Sequence, residues 1–238
     1  MLDPNGRVIM VSGANRGIGL AIAKALAQRG YSLSLGARDQ EALAAATADV
    51  PGERVERCFY EATAPESAEA WVADTIARFG RLDGLVNTAG ILRRTALETP
   101  SEEILNELWQ VNVLGPFTLT RVALPHLKAG GQGRVVNLAS LSGKRVASGN
   151  GPGYPMTKFA VVALTHATRQ LLWDDGVRVT AVCPGYVSTD MVADVTSHAQ
   201  EAMTQPEDLA ELVATVIALP NSASVPELLV NCRLEDTV

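Results

Sequence analysis

A doubly wound α/β fold, with a seven-stranded parallel sheet and helices on both of its faces, is what this 238-residue sequence predicts. Three observations predict it. Short β-branched runs alternate with longer, alanine-rich amphipathic runs along the whole chain. Glycines fall where the short runs hand over to the long ones. No Pro/Gly/Ser-rich linker, internal repeat, low-complexity tract or heptad run interrupts the pattern, so residues 1–238 read as a single domain, a length that one core can serve.

In order, RVIMVS (7–12), YSLSLGA (31–37), RVERCFY (54–60), RLDGLVN (81–87), GRVVNLAS (133–140), VRVTAVC (177–183) and ELLVNC (227–232) read as strands. Most are short apolar runs of the kind that a sheet covered on both faces requires. Helical stretches lie between consecutive runs, and parallel strands joined in this way need right-handed crossovers. Such a sheet binds ligands at the carboxyl ends of its strands. Motifs are therefore sought there.

Composition narrows the function. Hydrophobic residues make up 47% of the chain and charged ones 19%, with a formal charge of -6. An acidic surface argues against a nucleic-acid partner. Cys58, Cys183 and Cys232 are odd in number and widely spaced, which suits free thiols better than disulfides or zinc, and His126, His166 and His198 lack metal-ligand spacing. No metal is expected. MLDPNGR at the start has no apolar signal region, and no run of about 18 apolar residues could span a bilayer, so a cytoplasmic protein that does not engage a membrane is expected.

The first strand end continues as VSGANRGIGLAIAKALAQRG (11–30), placing Gly13, Gly17 and Gly19 before a helix. Glycines permit a tight turn and close backbone approach, and a helix amino terminus offers free N–H groups to a pyrophosphate. Plain strand-to-helix packing is the alternative. Further on, GPGYPMTKFA (151–160) reads as a Gly151–Pro152–Gly153 loop and then a helix that carries Pro155 in its first turn. Tyr154 and Lys158 share one helix face. An ammonium beside a phenol is expected to lower a pKa that starts near ~10, making the tyrosine an acid/base; a surface tyrosine beside a solvated lysine would look the same.

The glycine loop, NTAG (87–90), Asn112, Ser140, Tyr154, Lys158 and PGYVST (184–189) follow one another in order. Together they resemble the short-chain dehydrogenase/reductase family from about Arg7 to the last strand. The resemblance implies a Rossmann-type oxidoreductase that moves a hydride reversibly between NADP(H) and an alcohol or carbonyl compound. It implies that Gly13, Asn15, Arg16, Gly17, Ile18 and Gly19 bind the cofactor's phosphates. The acidic position at the second strand end is neutral here, near Gly36 or Ala37, and Arg16 with Arg38 resembles the NADP-preferring pattern. Asp39 is the rival, either as a carboxylate for an NAD(H) ribose or as a helix cap.

By the same resemblance Glu61 and Ala62 contact adenine, although the family usually has aspartate and Glu61 reads equally as a solvated residue. Asn87, Ala89 and Gly90 line the ribose, with Thr88 departing from the family's asparagine. Tyr154 is the acid/base, and Lys158 binds the nicotinamide ribose and depresses the tyrosine pKa. Ser140, preferred to Ser142 on the family's spacing to Gly143 and Tyr154, holds the substrate oxygen. Asn112 kinks its helix and holds a relaying water, or is a buried structural hydrogen bonder. Pro184, Gly185, Val187 and Thr189 receive the nicotinamide.

Residues 190–205 form a short substrate loop with few aromatics, giving an open pocket with Met191 and Val192 near the substrate. The ending LPNSASVPELLVNCRLEDTV (219–238) lacks the Asp-Gly-Gly turn of many members and resembles the NADP-dependent 3-hydroxy acid branch. A carboxylate substrate would need a cation, and Lys144 or Arg145 is nearest in sequence. Ala160, Ala163 and Ala167 at one-turn spacing suggest a homodimer or homotetramer, or else burial in the monomer core. From another functional class, a catalytically silent NADP(H)-binding sensor is the alternative.

Overall fold

The computed structural model describes residues 1–146, 151–193 and 196–234. Seven strands, β1 (Val8–Ser12), β2 (Ser32–Ala37), β3 (Val55–Phe59), β4 (Gly84–Asn87), β5 (Arg134–Leu138), β6 (Arg178–Pro184) and β7 (Glu227–Val230), form one sheet in the order β3-β2-β1-β4-β5-β6-β7. Every pairing is parallel. All seven expected strands form. β4 starts three residues later than its apolar run suggests, because Arg81 and Asp83 are committed to an ion pair of 2.7 Å before the strand begins.

The helices are α1 (Gly17–Gln28), α2 (Gln40–Ala46), α3 (Pro65–Phe79), α4 (Glu102–Trp109), α5 (Gly115–Ala129), α6 (Gly153–Leu172) and α7 (Pro206–Ala218). Local chemistry sets their ends. Asp39 caps α2 by accepting from the Ala42 N–H at 2.9 Å, and Ser101 caps α4 by accepting from Ile104 at 3.2 Å. Pro65 and Pro206 open α3 and α7, and Gly80, at φ 73°, closes α3 in the left-handed conformation.

Alternation along β1 divides the core. Ile9 and Val11 face Ile22 and Leu26 of α1 and Leu209 and Val213 of α7, while Met10 faces Trp71, Leu119 and Val135 on the other side. At β1 neither face meets water. At the amino-terminal edge, Asp83 accepts from the Val8 N–H and from Arg81 and lies 3.8 Å from Arg7, so the buried charge is paired. Strand order reverses between β1 and β4. The loops after these two strands run apart and leave a crevice at the carboxyl ends.

Candidate functional site

The crevice begins at the glycine loop. Gly13 and Gly17 have φ of 66° and 54°, values that a side chain would strain. The Gly13 and Ala14 N–H groups donate to the Gly36 carbonyl, tying the loop to β2. Gly19 is tighter: a Cβ there would run into the Gly13 carbonyl oxygen and lie 2.7 Å from Thr88 Oγ1. Thr88 donates its hydroxyl to the Ser12 carbonyl, and Ser12 Oγ accepts from the N–H groups of Thr88 and Ala89 at 3.1 Å each. Threonine in place of asparagine thus still closes the turn locally.

A cleft of about 440 Å³ follows the amino terminus of α1, lined by Gly13, Asn15, Arg16, Gly17, Ile18, Gly19, Arg38, Glu61, Ala62, Ala89, Gly90 and Thr189 among others. The fit to a dinucleotide phosphate is direct: backbone N–H groups, positive-φ glycines and arginines stand together at a helix start. Arg16 lies 3.6 Å from Asp190 and Arg38 3.5 Å from Glu61, with both guanidinium groups mostly exposed. Exposed pairs of this kind are worth about 0–1 kcal/mol, so a phosphate can replace the carboxylates. Asp39 lines the cleft but commits its carboxylate to the cap of α2.

Asn87 does not reach the cleft. Its side chain donates to Thr120 and Asn137 beneath it, and Asn137 donates to Thr165 of α6. This buried ladder ties β4, β5 and α6 together, with Asn87 and Asn137 in register at adjacent strand ends.

A second cavity, about 250 Å³, adjoins the first and shares Ile18, Thr88, Gly90, Ile91, Arg93, Leu138, Thr189 and Met191 with it. Ser140, Tyr154, Lys158, Pro184, Gly185, Val187 and Val192 line it too. Ser140 sits just past β5, accepting from the Ser142 N–H at 3.0 Å and donating to the Pro184 carbonyl at 3.4 Å. Tyr154 enters from the first turn of α6, one residue after Gly153, which the sequence placed in the loop. One turn on, the Lys158 ammonium is buried, donates to the Leu138 carbonyl at 2.8 Å and lies 5.5 Å from the Tyr154 ring centre.

The expected depression of the tyrosine pKa is not what this geometry gives. Burial pushes the Tyr154 hydroxyl up to about 12, with a hydrogen bond from Ser140 opposing it. The same burial pulls Lys158 down to about 8. The tyrosine is half-buried and lines the cavity. At neutral pH the phenol holds its proton and is a donor.

Asn112 lies at a wide π-helical turn, Gln110–Leu114, between α4 and α5. Its side chain clamps residue 91 on both sides, donating to the Ile91 carbonyl at 2.9 Å and accepting from the Ile91 N–H at 2.8 Å, and it also donates to Thr157. It lines neither cavity and holds their shared wall. Lys144 is a second correction. Its ammonium is bound to Glu227, 2.7 Å away, which His166 also contacts at 2.7 Å, and it does not line the cavity, whereas Arg145 does.

Residues 194 and 195 of the expected substrate loop lie outside the described residues. Around them lie short helical turns at Asp190–Val192, where Met191 and Val192 line the cavity, and at Gln200–Ala202. Of the thiols, Cys58 and Cys183 are buried and Cys232 is half-buried, all three unbonded. Among the described residues, no group of three or more His, Cys, Asp or Glu is placed to hold a metal, and no helix is long and apolar enough to cross a membrane.

Comparison with known proteins places this geometry. The short chain dehydrogenase family profile matches residues 7–200. Agropine synthesis reductase of Rhizobium rhizogenes is 40% identical over 231 residues, covering 96% of this chain and 53% of the relative. The chain thus spans about half the length of that relative. Among solved structures, an archaeal alcohol dehydrogenase from Thermococcus sibiricus complexed with 5-hydroxy-NADP superposes with a TM-score of 0.85 at 32% identity, covering 94% of this chain and 95% of the other. A short-chain dehydrogenase/reductase from Brucella melitensis, glucose/ribitol dehydrogenase, gives 0.89 at 29% identity, covering 98% and 99%.

Proposed function

The chain belongs to the short-chain dehydrogenase family, and from that premise we propose that it moves a hydride reversibly between NADP(H) and an alcohol or carbonyl compound. The observation that carries this is the meeting of Ser140, Tyr154 and Lys158 where the second cavity opens from the glycine-lined cleft. The nicotinamide supplies the hydride when the cofactor is bound. The chain's own residues handle the oxygen. In reduction the carbonyl carbon gains the hydride, Tyr154 gives its proton to the oxygen and Ser140 steadies the charge that develops there. In oxidation Tyr154 takes the hydroxyl proton. Lys158, anchored on the Leu138 carbonyl, stabilises the phenolate left after donation. Asn112 positions residue 91 and the shared wall rather than touching the reacting atoms.

Arg16 and Arg38 support NADP(H) over NAD(H), since a 2'-phosphate meets two guanidinium groups and the rival Asp39 is occupied in capping. The co-structure of the Thermococcus sibiricus enzyme with an NADP derivative agrees with this. A small-molecule substrate and a homodimer or homotetramer complete the proposal. Ala163 and Ala167 are exposed on α6, close in sequence to the exposed Met156 and Phe159, a face that burial in the monomer core does not account for. Free thiols suit a reducing, cytoplasmic setting.

The test is a panel of carbonyl compounds with NADPH, followed by loss of the nicotinamide absorbance, beside NADPH and NADH binding measured by fluorescence. Tight NADPH binding with no oxidation across the panel would return the chain to the sensor alternative.

A further inference from the structure

Lys144 and His166 meet at Glu227, the first residue of β7. The Lys144 ammonium donates to Glu227 Oε1 at 2.9 Å and lies 2.7 Å from Oε2, while His166 Nε2 stands 2.7 Å from Oε1. The hydrogen bond from Lys144, joined by a second from His166, holds the Glu227 carboxyl below its usual range although burial opposes it. The group is ionised at neutral pH and only accepts, so His166 Nε2 carries the proton and donates. The Glu227 side chain is 19% exposed, which sets this cluster apart from freely solvated ion pairs. None of the three residues lines either cavity.

What the carboxylate joins is the catalytic frame. Lys144 follows directly on the short turn Leu141–Gly143, which Ser140 caps: the Ser142 N–H donates to Ser140 Oγ at 3.0 Å and the Gly143 N–H to the Ser140 carbonyl at 2.9 Å. His166 lies on α6, about two helical turns beyond Lys158. The turn also touches this helix directly, since a Cβ at Gly143 would stand 2.6 Å from the Lys158 carbonyl oxygen. Two supports thus hold the turn against the helix, one at Gly143 and one through Glu227. Lys144 and His166 both present donors and cannot bind each other, so a carboxylate from a third element closes the gap. Glu227 is itself fixed in the β6–β7 ladder, opposite Ala181, and the same ladder ends at Pro184, whose carbonyl accepts from Ser140 Oγ at 3.4 Å.

We propose that Glu227 is a positioning residue, its carboxylate latching the Ser140 turn to α6 and so setting the reach between the Ser140 and Tyr154 hydroxyls. This rests on the oxidoreductase reading and adds to it a residue that touches neither substrate nor cofactor. Without the latch the turn keeps its contact at Gly143 but is free to pivot on it. Small displacements of a reacting group slow the chemical step more than they weaken binding.

The test uses Glu227→Gln, which keeps the shape and removes the charge, with a carbonyl compound that the wild type reduces. kcat should fall about tenfold while KM and NADPH affinity stay within about twofold, and the isotope effect on kcat with NADPH deuterated at the transferred position should rise. Lys144→Met should behave alike, the double variant should be no worse than the poorer single one, and Lys144→Arg should recover much of the rate. An unchanged kcat, or kcat, KM and NADPH affinity falling together in step with the thermal midpoint, overturns the proposal. If Glu227→Gln fails to fold, His166→Gln takes its place, at a side chain 39% exposed, with kcat about threefold lower expected and an unchanged kcat overturning it. Hydrogen exchange reads the latch without turnover. The Gly143 and Lys144 amides, which close the turn, should exchange about tenfold faster in Glu227→Gln while those of Val135 and Val136 in β5 hold, and exchange equal to wild type overturns the latch. A wild type that oxidises NADPH with no carbonyl compound sinks the oxidoreductase reading by itself, and the exchange measurement still decides whether the carboxylate holds the turn.

Discussion

At Tyr154 the phenol keeps its proton at neutral pH because burial raises it to about 12. Tyr154→Phe removes the donor and leaves the glycine loop intact, so turnover should fall by about 10² or more while NADPH affinity holds; stopped-flow reduction and a binding titration read the two separately. The same burial makes alcohol oxidation, which needs the phenolate, rise with pH relative to carbonyl reduction. Lys158 adds a stability effect. Its pKa falls from 10.5 to about 8 on folding. Below about 8 both states carry the proton and the cost of burying the ammonium is fully present. Between about 8 and 10.5 the unfolded chain binds more protons, so stability rises with pH across that window. Tyr154 opposes this above about 10, where only the folded chain keeps the phenolic proton. The stability difference between Lys158→Met and wild type, from urea titrations at several pH values, should be largest below pH 8 and shrink toward 10.5. Arg38→Asp should lose about 1.5 to 3 kcal/mol of NADPH affinity and shift preference toward NADH; an unchanged ratio by fluorescence titration would leave the phosphate to Arg16. Tyr154 and Lys158 stood out in the sequence by their one-turn spacing, and Ser140 only through the resemblance to the family. The direction of the tyrosine shift could not, since desolvation depends on what the fold packs around the hydroxyl.

Among the elements, the strands announce themselves through apolar runs between glycines, and all seven form. What escaped was how elements are held to one another. The Ser12–Thr88 contacts and the Asn87–Asn137–Thr165 ladder join residues far apart in the chain, and nothing local marks them as partners. The π-helical turn at Asn112 was foreseen only as a kink, because a wide turn and a bend leave the same trace in sequence. Gly19→Ala should be the most damaging small change in the loop, forcing α1 away from the Gly13 carbonyl and Thr88. We expect a loss of about 1–3 kcal/mol in stability, as for other overpacked sites, and a larger loss of NADPH binding. Thermal unfolding with and without NADPH distinguishes the two.

For the molecule as a whole, the two ends of the sheet do different work. The amino-terminal edge holds the buried Arg7, Asp83 and Arg134 group, and the carboxyl ends hold the cavities. The lining of the second cavity belongs to this scale: residues 93, 94, 145 and 233 line it only once strands β4 to β7 are side by side, and of these the sequence singled out Arg145 alone, as an alternative to Lys144. Quaternary structure also belongs here. Phe159 is 43% exposed on α6, beside Ala160 and near Ala163. If that face is the contact between copies, Phe159→Glu places two charges across a two-fold axis and should leave a folded monomer at micromolar concentration. Sedimentation velocity of variant and wild type decides it; an unaltered profile moves the interface elsewhere.

The three tryptophans are distributed unevenly, and this gives the protein a built-in optical probe. Trp109 and Trp173 are about 40% exposed and Arg178 stacks on Trp173, so their emission lies to the red and quenchers in solution reach it. Trp71 is sealed from water against Gly36, donates its N–H to Ser34 and meets Tyr60, whose ring is 5.0 Å away and forms part of the cleft wall. Its emission should be the blue, acrylamide-resistant component of the spectrum. One ring separates it from the cleft. A reduced nicotinamide cofactor bound there would accept its excitation, so loss of the blue component would report occupancy in the untouched protein, without turnover and without a label.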